Sequence, residues 1–374
     1  MSIVVLEVRR RPMAMSRRAA LGCGLAMISV TGRRAWSGVT PQSGPLSTGE
    51  VERLLQQHNV PGAGLAILEA GEIVAAYSYG FARDTSLVSE ATRFQAASIS
   101  KTVNALLVLT LVRDGAVNLD DPVNKHLKSF TLSGPDADLV TVRMLLNHSG
   151  GTSVEWFAGY IPGQPLPSLR QILAGEAPAN NAAVKVVRTP GSYAYSGGGT
   201  MVLQQLVIDV TGLLYQVAAA LRVLTPLSMA ASSFEQPPSE TGAGNLAHAH
   251  GSNGQPTPGG YNIYPELAAA GLWTTPSDIC RMLRGIKLSI ADGPGAILPQ
   301  PIAYQMVRPG EGNAGLGVFV NNVGLISHFG VNRGFRAVFG LPLNAGKGLA
   351  VMTNGDNGAL VHKSLVERAL AHEQ

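Results

Sequence analysis

The run Val103 to Val112 is almost unbroken aliphatic, and Ser98-Ile99-Ser100-Lys101 stands directly before it, so a helix sunk in a core opens on a serine and a lysine three residues apart. Residues at that spacing share a helical face, which brings the amine within reach of the hydroxyl. A serine at a helix N-terminus sits where backbone N–H groups and the macrodipole favour developing negative charge. A lysine desolvated there can be neutral and act as a base. Read alone, the pattern fits equally well a serine that does no more than cap the helix.

Other segments add to it. No G-x-S-x-G occurs in the chain, which removes a nucleophile elbow of the α/β-hydrolase kind. Pro190-Gly191-Ser192-Tyr193-Ala194-Tyr195-Ser196-Gly197-Gly198-Gly199 is turn-rich and leads into Met201 to Val210, whose apolar positions suit a buried helix; a loop tyrosine there can relay a proton. His328-Phe329-Gly330-Val331 is flanked by Leu316 to Val320, Ala337 to Leu341 and Gly348 to Thr353, which read as strands. A sheet edge at that point would present backbone N–H groups. Gly62 and Gly64 begin a dinucleotide fingerprint, but Ile67 occupies its third glycine position.

These segments, with Val60-Pro61-Gly62-Ala63-Gly64, Thr92-Arg93-Phe94, Leu119-Asp120-Asp121-Pro122-Val123, Leu145-Leu146-Asn147-His148-Ser149-Gly150, Gly271-Leu272-Trp273-Thr274-Thr275-Pro276-Ser277-Asp278 and Met352-Thr353-Asn354-Gly355, resemble the serine β-lactamase and penicillin-recognising family. Their order and spacing over residues 47 to 374 are closest to the branch of class C β-lactamases, D-alanyl-D-alanine carboxypeptidases and family VIII carboxylesterases. The resemblance implies a β-lactamase/penicillin-binding transpeptidase-like fold of the α/β (α+β) class, an antiparallel sheet flanked by helices plus a mostly helical region. The hydrolase domain would run over 39–374, with its sheet part at about 47–95 and 266–374 and its helical part at about 96–265. It implies further that Ser98 is the acyl-forming nucleophile, Lys101 the amine sharing its proton, and Tyr195 the tyrosine of the Y-x-N motif. The oxyanion hole would be the backbone N–H groups of Ser98 and Val331. His328 and Gly330 would take the K-T-G or H-x-G positions of the substrate-binding strand, with Gly197 and Tyr193 also against the substrate.

Two departures bear on the substrate. Gly197 stands where Y-x-N supplies an asparagine, so a partner for a substrate amide is missing. His328 replaces the lysine usual in lactamases and peptidases, and a histidine is mostly neutral at neutral pH. Both changes favour a carboxylic ester over a β-lactam or a D-alanyl-D-alanine peptide. The alternatives are lactam or peptide hydrolysis and a non-catalytic penicillin-binding sensor. No metal or other cofactor is expected; the partner is a small-molecule ester or lactam.

Among the remaining residues, His148 reads as a structural loop histidine, and His248 and His250 as parts of a solvated loop within the Pro-, Gly-, Ser- and Asn-rich stretch Glu235 to Gly260. Trp156, Phe157 and Tyr160 form either an apolar acyl pocket or core, and Trp273 is equally open. Residues 1–38 differ in kind. Ser16-Arg17-Arg18 precedes the apolar stretch Ala19 to Val30, too short for a bilayer span, which resembles a twin-arginine export signal and implies a periplasmic or secreted product. Cys23 lies in a poor lipobox, so no stable membrane anchor is expected. The segment holds seven arginines and one glutamate, a net of +6 against +4 for the whole chain, which leaves −2 for the rest. The basic balance belongs to the leader, and nothing then argues for nucleic acid as a partner. Beyond the leader only Cys280 remains, so an intramolecular disulfide is excluded there.

Overall fold

The computed structural model describes residues 47–371 apart from 240–245 and 345; the segment read as an export signal, 1–38, lies outside the described residues. In chain order the elements are α1 (Thr48–Gln57), β1 (Gly62–Glu69), β2 (Glu72–Arg83), β3 (Ser86–Leu87), β4 (Phe94–Gln95), α2 (Ser100–Arg113), α3 (Val142–Leu146), α4 (Leu169–Ala174), α5 (Gly197–Thr211), α6 (Tyr215–Ala219), α7 (Leu267–Ala270), β5 (Trp273–Thr274), α8 (Pro276–Ile290), α9 (Gln300–Met306), β6 (Phe319–Val320), β7 (Leu325–Asn332), β8 (Phe335–Pro342), β9 (Gly348–Thr353) and α10 (Gly358–Ala371).

Seven strands form one antiparallel sheet in the order β3-β2-β1-β9-β8-β7-β6. The two ends of the chain therefore meet at its centre, where β1 pairs with β9 from Ala63–Thr353 to Leu68–Gly348. Both are near-continuous apolar runs because both of their faces are covered. Pro276 of α8 packs over Gly64, whereas Thr353 turns the other way, to His362 of α10. α8 thus lies on one face and α10, with α1 beside it, on the other. β7 and β8 alternate buried and open positions, with His328, Gly330 and Asn332 inward and Phe329 and Val331 outward.

The second half of the molecule is built around α2, whose residues Ser100 to Leu111 are all buried, against α5, α6 and α7. That is why its hydrophobic run shows no polar stripe. Two sequence expectations shift. Of Leu316 to Val320 only Phe319 and Val320 pair, and the glycine run expected as a turn is the first turn of α5. Ser196 caps that helix through Gly199 N–H, and a β-carbon on Gly198 would run into the Ser153 carbonyl, so backbones approach there too closely for side chains.

The stretch 246–250 corrects the reading of a solvated loop. His250 is buried with Nδ1 3.0 Å from Asn354 O, Leu246 bridges to Arg93, and Ala247 and Ala249 are buried. Small residues there let the chain run flat against the end of the sheet. Among the described residues no single helix is long and apolar enough to cross a membrane.

Candidate active site

Ser98 lies in a single 3-10 turn, Ala97–Ile99, that feeds α2. Its hydroxyl caps no helix: the residue before α2 is Ile99, with no side-chain cap, so the capping alternative falls away. Lys101 Nζ stands 3.1 Å from Ser98 Oγ and donates to Ala269 O of α7 at 2.8 Å. The backbone enters the turn through Ala97 at φ 49°, a left-handed conformation that a β-carbon disfavours, and Ser98 itself stays half-buried.

Lys101 is 5% exposed and has no carboxylate partner among the described residues, so burial alone pushes its amine down to about 7. A neutral amine can keep one N–H on Ala269 O and offer its lone pair to the serine proton. Tyr195, on the loop entering α5, lies within hydrogen-bonding reach of Ser98, and the lysine nitrogen sits 5.1 Å from its ring centre. Burial holds the phenol above its ordinary value, so it stays protonated. Of the two groups the amine is the one that can be empty of its proton near neutrality.

β7 closes the other side. β6 covers it only at Ser327 and Ile326, which leaves residues 328–332 without a strand partner on that edge. There the strand packs on the serine turn, and a β-carbon at Gly330 would collide with the Ala96 carbonyl, so only glycine permits that approach. Val331, the next residue, carries its backbone alongside the turn. His328 is buried, its Nδ1 2.8 Å from the Phe329 carbonyl, and burial reinforced by Lys101 pushes it down to about 3. It is neutral.

Gly197 is the first residue of α5, and the space beside it is taken. A β-carbon there would lie 3.0 Å from the Phe157 ring and 3.1 Å from Glu155 O. Tyr193 is half-buried, edge-on to His148 at 6.3 Å, and its N–H donates to Glu311. Trp156 is exposed and Phe157 and Tyr160 are buried, while Trp273 is wholly buried between Tyr261 and Phe335 as core.

His148, expected as a structural loop histidine, is buried against the site tyrosine. Its ring lies tilted by 40° against Tyr195 with the ring centres 4.3 Å apart, and its Nδ1 accepts from Ser196 N–H, which leaves the neutral ring its proton on Nε2. Burial, with Lys101 and His328 nearby, holds it well below its usual value. Its position in Leu145-Leu146-Asn147-His148-Ser149-Gly150 was legible; a contact spanning 47 residues of sequence was not.

A profile of the beta-lactamase family matches residues 48–373. Among curated sequences, protein flp of Staphylococcus aureus (strain COL) is 25% identical over 233 residues, 61% of this chain and 44% of flp. Penicillin-binding protein 4* of Bacillus subtilis (strain 168) is 26% identical over 182 residues, 48% of this chain and 39% of its own. The chain thus spans less than half the length of these relatives. Among solved structures, the octameric penicillin-binding protein homologue from Pyrococcus abyssi superposes with a TM-score of 0.71 at 24% identity, over 86% of this chain and 77% of that one. The class C beta lactamase from Rhodobacter sphaeroides gives 0.67 at 17% identity, over 87% and 98%. The D-amino acid amidase from Ochrobactrum anthropi SV3 gives 0.66 at 23% identity, over 86% and 97%. These likenesses establish the antiparallel sheet with flanking helices as a shared fold, and the profile match over nearly the whole described chain establishes that this protein belongs to the beta-lactamase family.

Proposed function

We propose that the protein is a serine hydrolase that cleaves carboxylic esters through an acyl-enzyme on Ser98. The observation that carries the reading is the buried Lys101 amine, poised near neutrality 3.1 Å from the hydroxyl with Tyr195 beside both. Neutral Lys101 takes the Ser98 proton as Oγ attacks the ester carbonyl, directly or across the Tyr195 hydroxyl, which passes one proton on as it accepts another. The tetrahedral alkoxide is held by the backbone N–H groups of Ser98 and Val331; such a donor contributes roughly 2.7–4 kcal/mol in other acyl-transfer enzymes. Collapse expels the alcohol, which leaves with the proton from Lys101, and water attacks the acyl-enzyme by the same path in reverse.

Ester preference is supported by what lines the site. Phe157 fills the space in which a side chain at position 197 would offer an amide partner, and buried, neutral His328 supplies no cation to a carboxylate beside the serine. An amide or lactam is the second reading, favoured by the solved amidase and beta lactamase that share the fold. The test is kcat/KM of the purified protein on 4-nitrophenyl hexanoate and on a chromogenic cephalosporin, beside Ser98→Ala. Ester turnover lost in Ser98→Ala, with lactam turnover negligible, is the expected result. Comparable or faster lactam turnover overturns the ester assignment, and no reaction with either substrate or with a serine-directed acylating probe leaves a binding protein.

A further inference from the structure

Beside the serine turn lies a cleft of about 440 Å³ whose lining includes Trp156, Phe157, Tyr264, Val331, Arg333 and Arg336. It adjoins the site on two sides, since Val331 follows the glycine packed on Ala96 and Phe157 is the ring against Gly197. Its floor is fixed: Asn332 donates to Gln95, three residues before Ser98, and Gln95 donates to Asn262 O. Two guanidinium groups and one carboxylate face this space. Arg336 is spent, bound to Asp356 at 3.1 Å and to the carbonyls of Asn332 and Phe335. Arg333 is not: it is exposed in the β7–β8 turn, and no carboxylate among the described residues pairs with it. The turn is nevertheless held, by Tyr264 Oη accepting from Arg333 N–H and by Asp356 accepting from Gly334 N–H.

We propose, resting on the ester-hydrolase reading, that Arg333 binds an anionic group on one arm of the substrate, which makes hemiesters of dicarboxylic acids the favoured class. The serine site itself offers no cation for an anion, because His328 is neutral and Lys101 is the base; the cation of the cleft that no carboxylate among the described residues pairs with is Arg333. A guanidinium forks onto a carboxylate with two N–H donors, and the aromatic walls of Trp156, Phe157 and Tyr264 suit a short methylene chain between the two ends. Arg333 follows Val331 by two residues and opens the turn after β7, so the two backbones lie within about 7 Å of each other. An acyl chain of about six carbons spans that distance.

The experiment compares 4-nitrophenyl hemiadipate with 4-nitrophenyl hexanoate, equal in chain length and different in the terminal charge, in wild type and Arg333→Gln. The ratio of kcat/KM, hemiadipate over hexanoate, is expected above one in wild type, to fall roughly fivefold in Arg333→Gln, and to decline with added salt. An equal ratio in the two proteins overturns the proposal while leaving ester hydrolysis intact. If neither ester is turned over, the ester reading fails by itself, and calorimetric titration of Ser98→Ala with adipic acid monoamide, with and without Arg333→Gln, decides the anion site. Weaker binding in the double variant supports it; equal binding overturns it.

Discussion

At the scale of single residues the site turns on a lysine stripped of water. Lys101 is held near 7 in the folded chain against 10.5 in the unfolded one, with burial as the cause. Between these values the unfolded chain binds more protons, so stability rises with pH across that window, and below about 7 the amine carries its full burial cost. A displacement of that size corresponds to about 5 kcal/mol at most, before the hydrogen bonds to Ser98 and Ala269 are set against it. Two outcomes follow. The single-turnover acylation rate on a neutral ester should climb through a limb near pH 7. Lys101→Met should abolish turnover yet melt higher than wild type at pH 6–7, with the advantage shrinking towards pH 10. Melting curves of both proteins across that range check it, and a variant that melts lower at pH 6 would show that the ammonium is compensated in the fold. The serine and lysine were legible because a helix repeats its faces at three and four residues. The contacts of Ala269 and His148 with the site were not: they arrive from a short helix and a loop whose local sequence carries no period.

At the scale of elements, the site is a contact between one strand and one turn. Gly330 lets β7 settle on Ala96 and Ala97, and this sets where the Val331 N–H lies relative to Ser98. Gly330→Ala should move the strand outward, and as a reacting alkoxide feels a displaced donor far more than the ground state does, kcat should drop on the order of 100-fold with a smaller change in KM. The melting temperature should fall as well, because the β-carbon meets backbone that has to shift, so the split of kcat against KM in protein that remains folded is the readout. Full activity in this variant would remove β7 from the oxyanion site. The strands β8 and β9 were readable from alternation and glycine boundaries, and β7 from its resemblance to the family's substrate-binding strand. β6 was overdrawn, because Leu316 and Val318 are apolar for burial in the core and not for pairing. The glycines opening α5 were read as a turn from composition alone, whereas crowding by Ser153, Thr152 and Phe157 demands glycine in a helix.

At the scale of the molecule, the order of the chain predicts how it comes apart. The sheet is assembled from both ends of the sequence and the helices around α2 from the middle, yet one apolar cluster runs through both, from Phe94, Ile99 and Leu106 to Cys280, Phe339 and Ala350. A shared core of that kind argues for one cooperative unit. Cys280 is the natural reporter: it lies wholly buried on α8, its thiol pushed up to about 12 by burial, and Ala350 of central β9 packs on it. In the Cys23→Ser protein it is the only thiol of the chain. A thiol reagent should therefore leave the native protein unlabelled for hours, since openings of a typical domain are populated at about 1 in 10⁴ or less. In guanidinium chloride, labelling should rise at the same midpoint as the loss of the far-ultraviolet helix signal, to which α2 to α7 contribute alongside α1, α8, α9 and α10. A labelling midpoint clearly below the helical one would mean that β1 and β9 part while α2 and its neighbours stay folded. The meeting of the chain ends would then be a weaker join than the buried, two-faced pairing of those strands implies.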